Sequence, residues 1–180
     1  MFRKLLNSEL GRPGLEQYRE LAKNPVTVIL DNVRSRHNIG SAFRTSDAFK
    51  AERIILCGIS STPPSPEIHK SALGAEFSVE WVWRESTTEA VKELKDKGYT
   101  IIGVEQTEHS VSTDMFLSGD MRLEKDKKYA VIFGNEVHGI SQDVVDLCDI
   151  TLEIPQWGTK HSLNVSVAIG IVLYVLTPRD

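Results

Sequence analysis

Short apolar runs alternate with helix-length amphipathic segments along most of this chain, and that alternation constrains its fold more than any other feature. The runs are Val26–Leu30, Arg53–Cys57, Val79–Val82, Thr100–Val104, Ala130–Phe133 and Ile150–Leu152. Between them "SAFRTSDAF" (41–49), "TEAVKELKDKG" (88–98) and "SQDVVDLC" (141–148) carry helical spacing, the second closed by Gly98. Continuous apolar runs mark strands covered on both faces, so an α/β domain with a mostly parallel sheet flanked by helices is predicted. With 180 residues and 41% hydrophobic content, residues 1–180 are expected to form a single domain around one core. Residues 1–24, which contain "LEQYRELAK", read as a helical N-terminal arm. The Pro- and Ser-rich "GISSTPPSPEIHK" (58–70) reads as a connecting loop.

The formal net charge is −4, so no global basic character announces a nucleic-acid partner. A local cluster remains in Arg34, Arg36, Arg44, Lys50 and Arg53, and a patch of this kind is enough to meet phosphate. Cys57 and Cys148 lie far apart in apolar surroundings, which predicts buried free thiols in a reducing compartment. "MFRKLL" lacks the apolar core of a signal peptide, and a cytoplasmic protein is expected. The longest apolar stretch, "LNVSVAIGIVLYVL" (163–176), has 14 residues, short of the roughly 20 that cross a bilayer. It reads as a fully buried helix. The five histidines show no paired ligand spacing, and no metal is expected.

Three stretches carry candidate chemistry. In "HNIGSAFRTSDAF" (37–49), Asn38 either caps a helix or serves a site, and Arg44 either pairs with Asp47 or reaches for a ligand. In "AVIFGNEVHGIS" (130–141), a buried strand runs into Gly134, Asn135, Glu136 and Gly139. Ligands of α/β sheets bind at such strand ends, although a plain turn with a solvated glutamate explains the residues equally when taken alone. The spacing is neither a P-loop nor GxGxxG. In "IPQWGTKHSLNVSVA" (154–168), Ser162 reads as a helix N-cap. Asn164 would then stand inside an apolar helix, where an amide without partners costs about 1–3 kcal/mol.

In this order, "NIGSAFRTSDAF", "VIFGNEVHGIS" and "IPQWGTKHSLNVSVAIGI" closely resemble the three motifs of the SpoU/TrmH family of RNA 2′-O-ribose methyltransferases, in the SPOUT superfamily. "HKSALGA" (69–75) adds to the likeness, which runs from about Val26 to Leu176. Asn38, Arg44, Glu136, Ser162 and Asn164 all stand in family-typical contexts.

The resemblance implies a sheet with a deep trefoil knot at its C-terminal end, against the general rule that chains do not thread. It implies S-adenosylmethionine held in the knot, mainly by backbone groups of Gly134, Ile154 and Leu163 and the strand end Val104, Glu105 and Gln106, with Ser162 close by. It also implies Arg44 as activator of a ribose 2′-hydroxyl. Asn38 and Glu136 would position Arg44 and the ribose, while Ser162 and Asn164 order the knot loops and contact cofactor or substrate. Arg34, Arg36 and Arg44 are expected to meet RNA. Larger ribosomal-RNA members carry an added N-terminal domain, so transfer RNA is the expected substrate and ribosomal RNA the alternative. A homodimer is expected across the terminal helix, where Ser162, Ser166 and Gly170 fall four apart on one face. Two other readings compete: a scaffold that binds without catalysis, and a hydrolase built on adjacent His161 and Ser162, for which the GxSxG elbow is missing.

Overall fold

The computed structural model describes residues 2–177. Its elements are α1 (Leu15–Glu20), β1 (Asn24–Asp31), α2 (Arg36–Ala48), β2 (Ala51–Cys57), α3 (Pro66–Ala72), α4 (Ala75–Ser78), β3 (Trp81–Arg84), α5 (Thr87–Asp96), β4 (Tyr99–Val104), β5 (Val111–Ser112), α6 (Thr113–Ser118), β6 (Lys128–Phe133), α7 (Gln142–Val145), β7 (Ile150–Glu153) and α8 (Val165–Leu176). The strands form one sheet in the order β3-β2-β1-β6-β4-β7-β5, and each neighbouring pair is parallel.

Side chains alternate across that sheet, and helices cover both faces. Val26, Val28 and Leu30 of β1 pack with Ile39 and Phe43 of α2 and Ile169 and Val172 of α8. Ile29 points the other way, into a second cluster with Val91 and Leu94 of α5 and Val144 of α7. This two-sided burial is why the central strands are continuous apolar runs. Cys57 is buried and Cys148 only half-buried; both are free. Burial pushes the Cys57 thiol up to about 12 and that of Cys148 to about 11, so neither is a thiolate at neutral pH.

Several boundaries differ from the sequence reading, each for a local reason. The arm before β1 is only partly helical: Asn7–Glu9 form a 3-10 turn and α1 has six residues. The segment 58–70 is half loop and half helix, because Ser65 accepts from the Ile68 N–H and Pro66 opens α3 at its first turn. Val79 ends α4, which moves β3 from 79–82 to Trp81–Arg84. A two-residue edge strand, β5, extends the sheet beyond the six strands expected.

The last helix also differs. α8 begins at Val165, so Ser162 lies before it and does not share a helical face with Ser166 and Gly170. Nor is it fully buried: Val167 is 50% and Tyr174 52% exposed, while Val165, Ile169, Val172, Leu173 and Leu176 face the core. No described helix is long and apolar enough to cross a membrane.

Candidate active site

Parallel strands leave their carboxyl ends on one edge of the sheet, where ligands bind in α/β proteins. At the ends of β4, β6 and β7 the chain opens into a cleft of about 560 Å³. Its lining brings together Val104, Glu105, Gln106, Gly134, Glu136, Ile154, Ser162, Leu163 and Asn164. All seven residues expected at a cofactor thus meet in one place, joined by two of the five expected for catalysis besides Ser162.

Close backbone contacts shape this cleft. A Cβ on Gly134 would stand 2.1 Å from the carbonyl carbon of Gly139, and one on Gly139 would stand 2.2 Å from Glu105 Oε2. Gly139 also has φ +66°, which side chains disfavour. Asn135 and Gly139 exchange backbone hydrogen bonds of 3.0 and 2.9 Å, while Asn135 Oδ1 accepts from the amides of Val137 and His138. Glu105 Oε2 accepts from the Ile140 amide at 3.0 Å. Gln106 Nε2 donates to the His161 carbonyl at 2.9 Å, tying the end of β4 to the segment before α8. None of the backbone–backbone bonds in these loops uses the amides of Gly134, Ile154 or Leu163.

The cleft lining contains three carboxylates, Glu105, Glu136 and Glu153, and no lysine or arginine. That charge pattern disfavours phosphate and suits a cationic ligand. Hydrophobic Val104, Leu152, Ile154, Leu163 and Val165 supply apolar walls beside it.

Asn38 and Glu136 have structural duties that the sequence did not disclose. The N-cap of α2 is Ser35, whose hydroxyl accepts from the Asn38 amide, so Asn38 lies inside the first turn and is not the cap. Glu136 accepts from the Arg34 amide at 3.1 Å, the Ser35 amide at 2.9 Å and Asn38 Nδ2 at 3.0 Å. Burial opposes ionisation of Glu136, but the Ser35 and Arg34 amides, its own backbone and Asn38 outweigh it and hold the carboxyl below its usual range. Asn164 is not an amide stranded in a helix. It is the N-cap of α8, accepting from the Ser166 amide at 2.9 Å, and its Nδ2 donates to Asn38 Oδ1 at 3.2 Å. One chain of contacts therefore runs from Glu136 through Asn38 to Asn164.

The arginines lie elsewhere. Arg44 is exposed on α2, outside the cleft, in a shallow apolar groove with Phe49, Leu117, Gly170, Ile171 and Tyr174. It has no ion pair with Asp47, whose carboxylate instead accepts from Ser78. Arg34 and Arg36 stand at the opposite end of α2, with Arg36 paired to Glu67 at 3.1 Å. Lys50 follows the other end of that helix and Arg53 pairs with Glu52 on β2, so the basic residues adjacent in sequence do not form one patch. His161 and Ser162 are both exposed and make no hydrogen bond to each other, which removes the basis for a hydrolase. Among the described residues no three His, Cys, Asp or Glu side chains group as a metal site would.

Sheet order, helices on both faces and a glycine-walled cleft at the strand ends define an α/β ligand-binding domain of the SPOUT methyltransferase type. Residues 25–174 match the model of the SpoU rRNA Methylase family, and the chain belongs to that family. A Staphylococcus aureus protein named for the TrmH family of tRNA/rRNA methyltransferases is 32% identical over 160 residues, which are 89% of this chain and 61% of that one. The chain thus spans about three fifths of the length of such relatives. Among solved structures, an AdoMet-bound rRNA methyltransferase from Sinorhizobium meliloti superposes with a TM-score of 0.75 at 27% identity, over 88% of this chain and 58% of the other. The TrmH/SpoU tRNA modifying enzyme of A. aeolicus gives a TM-score of 0.75 at 26% identity, over 89% of this chain and 79% of the other.

Proposed function

We propose that this chain is an S-adenosylmethionine-dependent RNA methyltransferase that modifies ribose 2′-hydroxyls, with transfer RNA as its substrate. The observation that carries the reading is the lining of the cleft. A carboxylate-rich pocket without lysine or arginine, walled by backbone too close for a Cβ at Gly134, fits a phosphate-free cationic cofactor. Gly134, Ile154 and Leu163 would hold it through their amides, with Val104, Glu105 and Gln106 along the β4 end. When bound, S-adenosylmethionine supplies an electrophilic methyl group. In this reading the chain follows the trefoil path, with the Gln106 to His161 bond pinning one crossing.

The residues of the chain position the acceptor. An arginine guanidinium offers donors and no acceptor, so the part read for Arg44 is electrostatic and not that of the base. Its guanidinium binds the phosphate beside the target ribose and stabilises negative charge on the 2′-oxygen as that oxygen takes the methyl group and its proton passes to the phosphate or to water. Glu136 and Asn38 fix the first turn of α2, the helix that carries Arg44 about two turns further on, and Asn164 locks that first turn to α8. Because Arg44 lies outside the cleft of its own chain, a second copy seated on the apolar α2–α8 face brings it to the reaction. A homodimer also covers Val167 and the groove at Gly170.

The choice of transfer RNA is supported by the A. aeolicus tRNA modifying enzyme, of whose chain 79% is matched. The test is single-turnover transfer from tritiated S-adenosylmethionine to transfer RNA and to ribosomal RNA fragments, followed by mass mapping. Methyl on a transfer-RNA ribose is expected. Methyl on a base, or cofactor binding without transfer to either RNA, overturns the reading.

A further inference from the structure

A second groove opens on the same edge of the sheet, at the ends of β2 and β3. It is lined by Arg36, Ser61, Thr62, Glu67, Trp81 and Trp83, with a volume of about 800 Å³. Trp81 and Trp83 are two apart on an edge strand and so share one face. The Trp83 indole N–H donates to the Gly58 carbonyl at 3.1 Å, which satisfies its polar atom and holds the ring while 46% of the residue remains exposed. Arg36 is held on the other side by Glu67 at 3.1 Å and Ser61 Oγ at 3.3 Å. Those bonds occupy Nη1 and Nε, leaving Nη2 to face a ligand. The one carboxylate here is thus already matched, and exposed Arg34 adds positive charge two residues away.

The first turn of α2 links the groove to the candidate active site. Arg36 lines the groove, while the neighbouring Ser35 amide is bonded to Glu136 in the cofactor cleft. An aromatic platform fixed by its own hydrogen bond, beside a guanidinium with spare donors, has the two parts that single-stranded nucleic acid requires: a face for a base and a charge for a phosphate. Duplex RNA offers no free base face to such a ring.

We propose that this groove takes an unpaired base of the RNA flanking the methylated nucleotide, stacked on Trp83, with its phosphate on Arg36. The inference rests on the RNA methyltransferase reading above. The groove would make the enzyme read loops in preference to helices, and would do so without lysine or arginine in the cofactor cleft.

The test uses the full chain and a fluorescein-labelled ten-nucleotide oligoadenylate, with a ten-base-pair duplex as comparison, read by anisotropy. S-adenosylmethionine affinity and methyl transfer to bulk transfer RNA are measured on the same samples. Trp83→Ala should weaken single-strand binding about tenfold, the scale of one lost stacking contact. Trp83→Phe should retain most of the affinity. Thr62→Glu adds negative charge without touching the core and should also weaken it, which covers any folding defect of the alanine variant. KM for RNA should rise while cofactor affinity stays level. Wild-type single-strand affinity in both Trp83→Ala and Thr62→Glu, or an equal loss on the duplex, overturns the groove and leaves the methyltransferase reading standing. A wild-type protein that binds neither RNA nor cofactor overturns both.

Discussion

The Glu136 carboxylate accepts a hydrogen bond from the Ser35 backbone at 2.9 Å, across 101 residues of sequence. This contact anchors the first turn of α2 to the loop after β6, where the helix presents amides without intrahelical partners. The same carboxylate takes the Arg34 amide and Asn38, so the residue that looks like a solvated turn glutamate is the joint between two motifs.

Glu136→Gln should therefore destabilise the chain by about 1 kcal/mol at neutral pH, the solvent-exposed site keeping the effect small. The folded-state pKa of Glu136 lies below its ordinary value of 4.5. Its stabilisation is therefore full above that value and lost as pH falls through the folded pKa. Urea unfolding of both proteins from pH 7 to pH 3 should show the difference shrinking towards the acid end. A difference that stays constant across that range contradicts the assignment.

Gly134→Ala tests the wall of the cleft. The added Cβ would meet backbone of Gly139 and Ile140 at 2.1 to 2.4 Å, and neither can swing aside as a side chain end does. S-adenosylmethionine affinity, by calorimetry, should fall at least about tenfold, since the loop must open to relieve the clash. Unchanged affinity would place the cofactor elsewhere.

The convergence of Val104, Gly134, Ile154 and Leu163 was legible because alternating apolar runs imply parallel strands, and parallel strands bring their ends together. The resemblance of the motifs then marked which ends matter. Partnerships that span a hundred residues were not legible: spacing alone could not distinguish Asn38 as a cap from Asn38 as a link between Glu136 and Asn164. Asn164 reads as helix interior because Ser162 offers an N-cap before it and Leu163 an apolar first turn, whereas the helix begins only at Val165 with Asn164 as its cap. The Ser65-Pro66 pair was a readable helix start, hidden by the prolines before it. Nothing in the residue pattern indicated the Trp83 groove, which exists only because β3 lies at the sheet edge beside the loop after β2.

Gly170→Leu probes the outer face of α8. A Cβ on Gly170 meets nothing within 4 Å in the single chain, so a larger side chain there does not disturb the fold from inside. If a second copy packs on this face, the leucine overpacks the contact and should raise the dimer dissociation constant about tenfold or more. Sedimentation should show a wild-type dimer at micromolar concentration and a variant that dissociates, both with unchanged helical circular dichroism. A wild-type monomer at high micromolar concentration would remove the dimer from the model of function.

Arg44 decides how the site is assembled. It should be dispensable for binding S-adenosylmethionine, because it does not line the cleft, yet Arg44→Ala should lose most methyl transfer, and lysine should rescue poorly because a point charge does not reproduce a planar, two-pronged contact. Co-expression then separates the two possible geometries. Differently tagged Arg44→Ala and Gly134→Val chains, each inactive alone, form mixed dimers in about half of all assemblies by random pairing. If Arg44 acts across the interface, each mixed dimer has one site with an intact cleft and an intact arginine, and the mixture should show about a quarter of wild-type turnover. If Arg44 serves the cleft of its own chain, every site in the mixture lacks one of the two parts and turnover stays at the level of the single variants. The position of Arg44 beside Gly170 and Tyr174, on the face proposed for the second copy, predicts the first result.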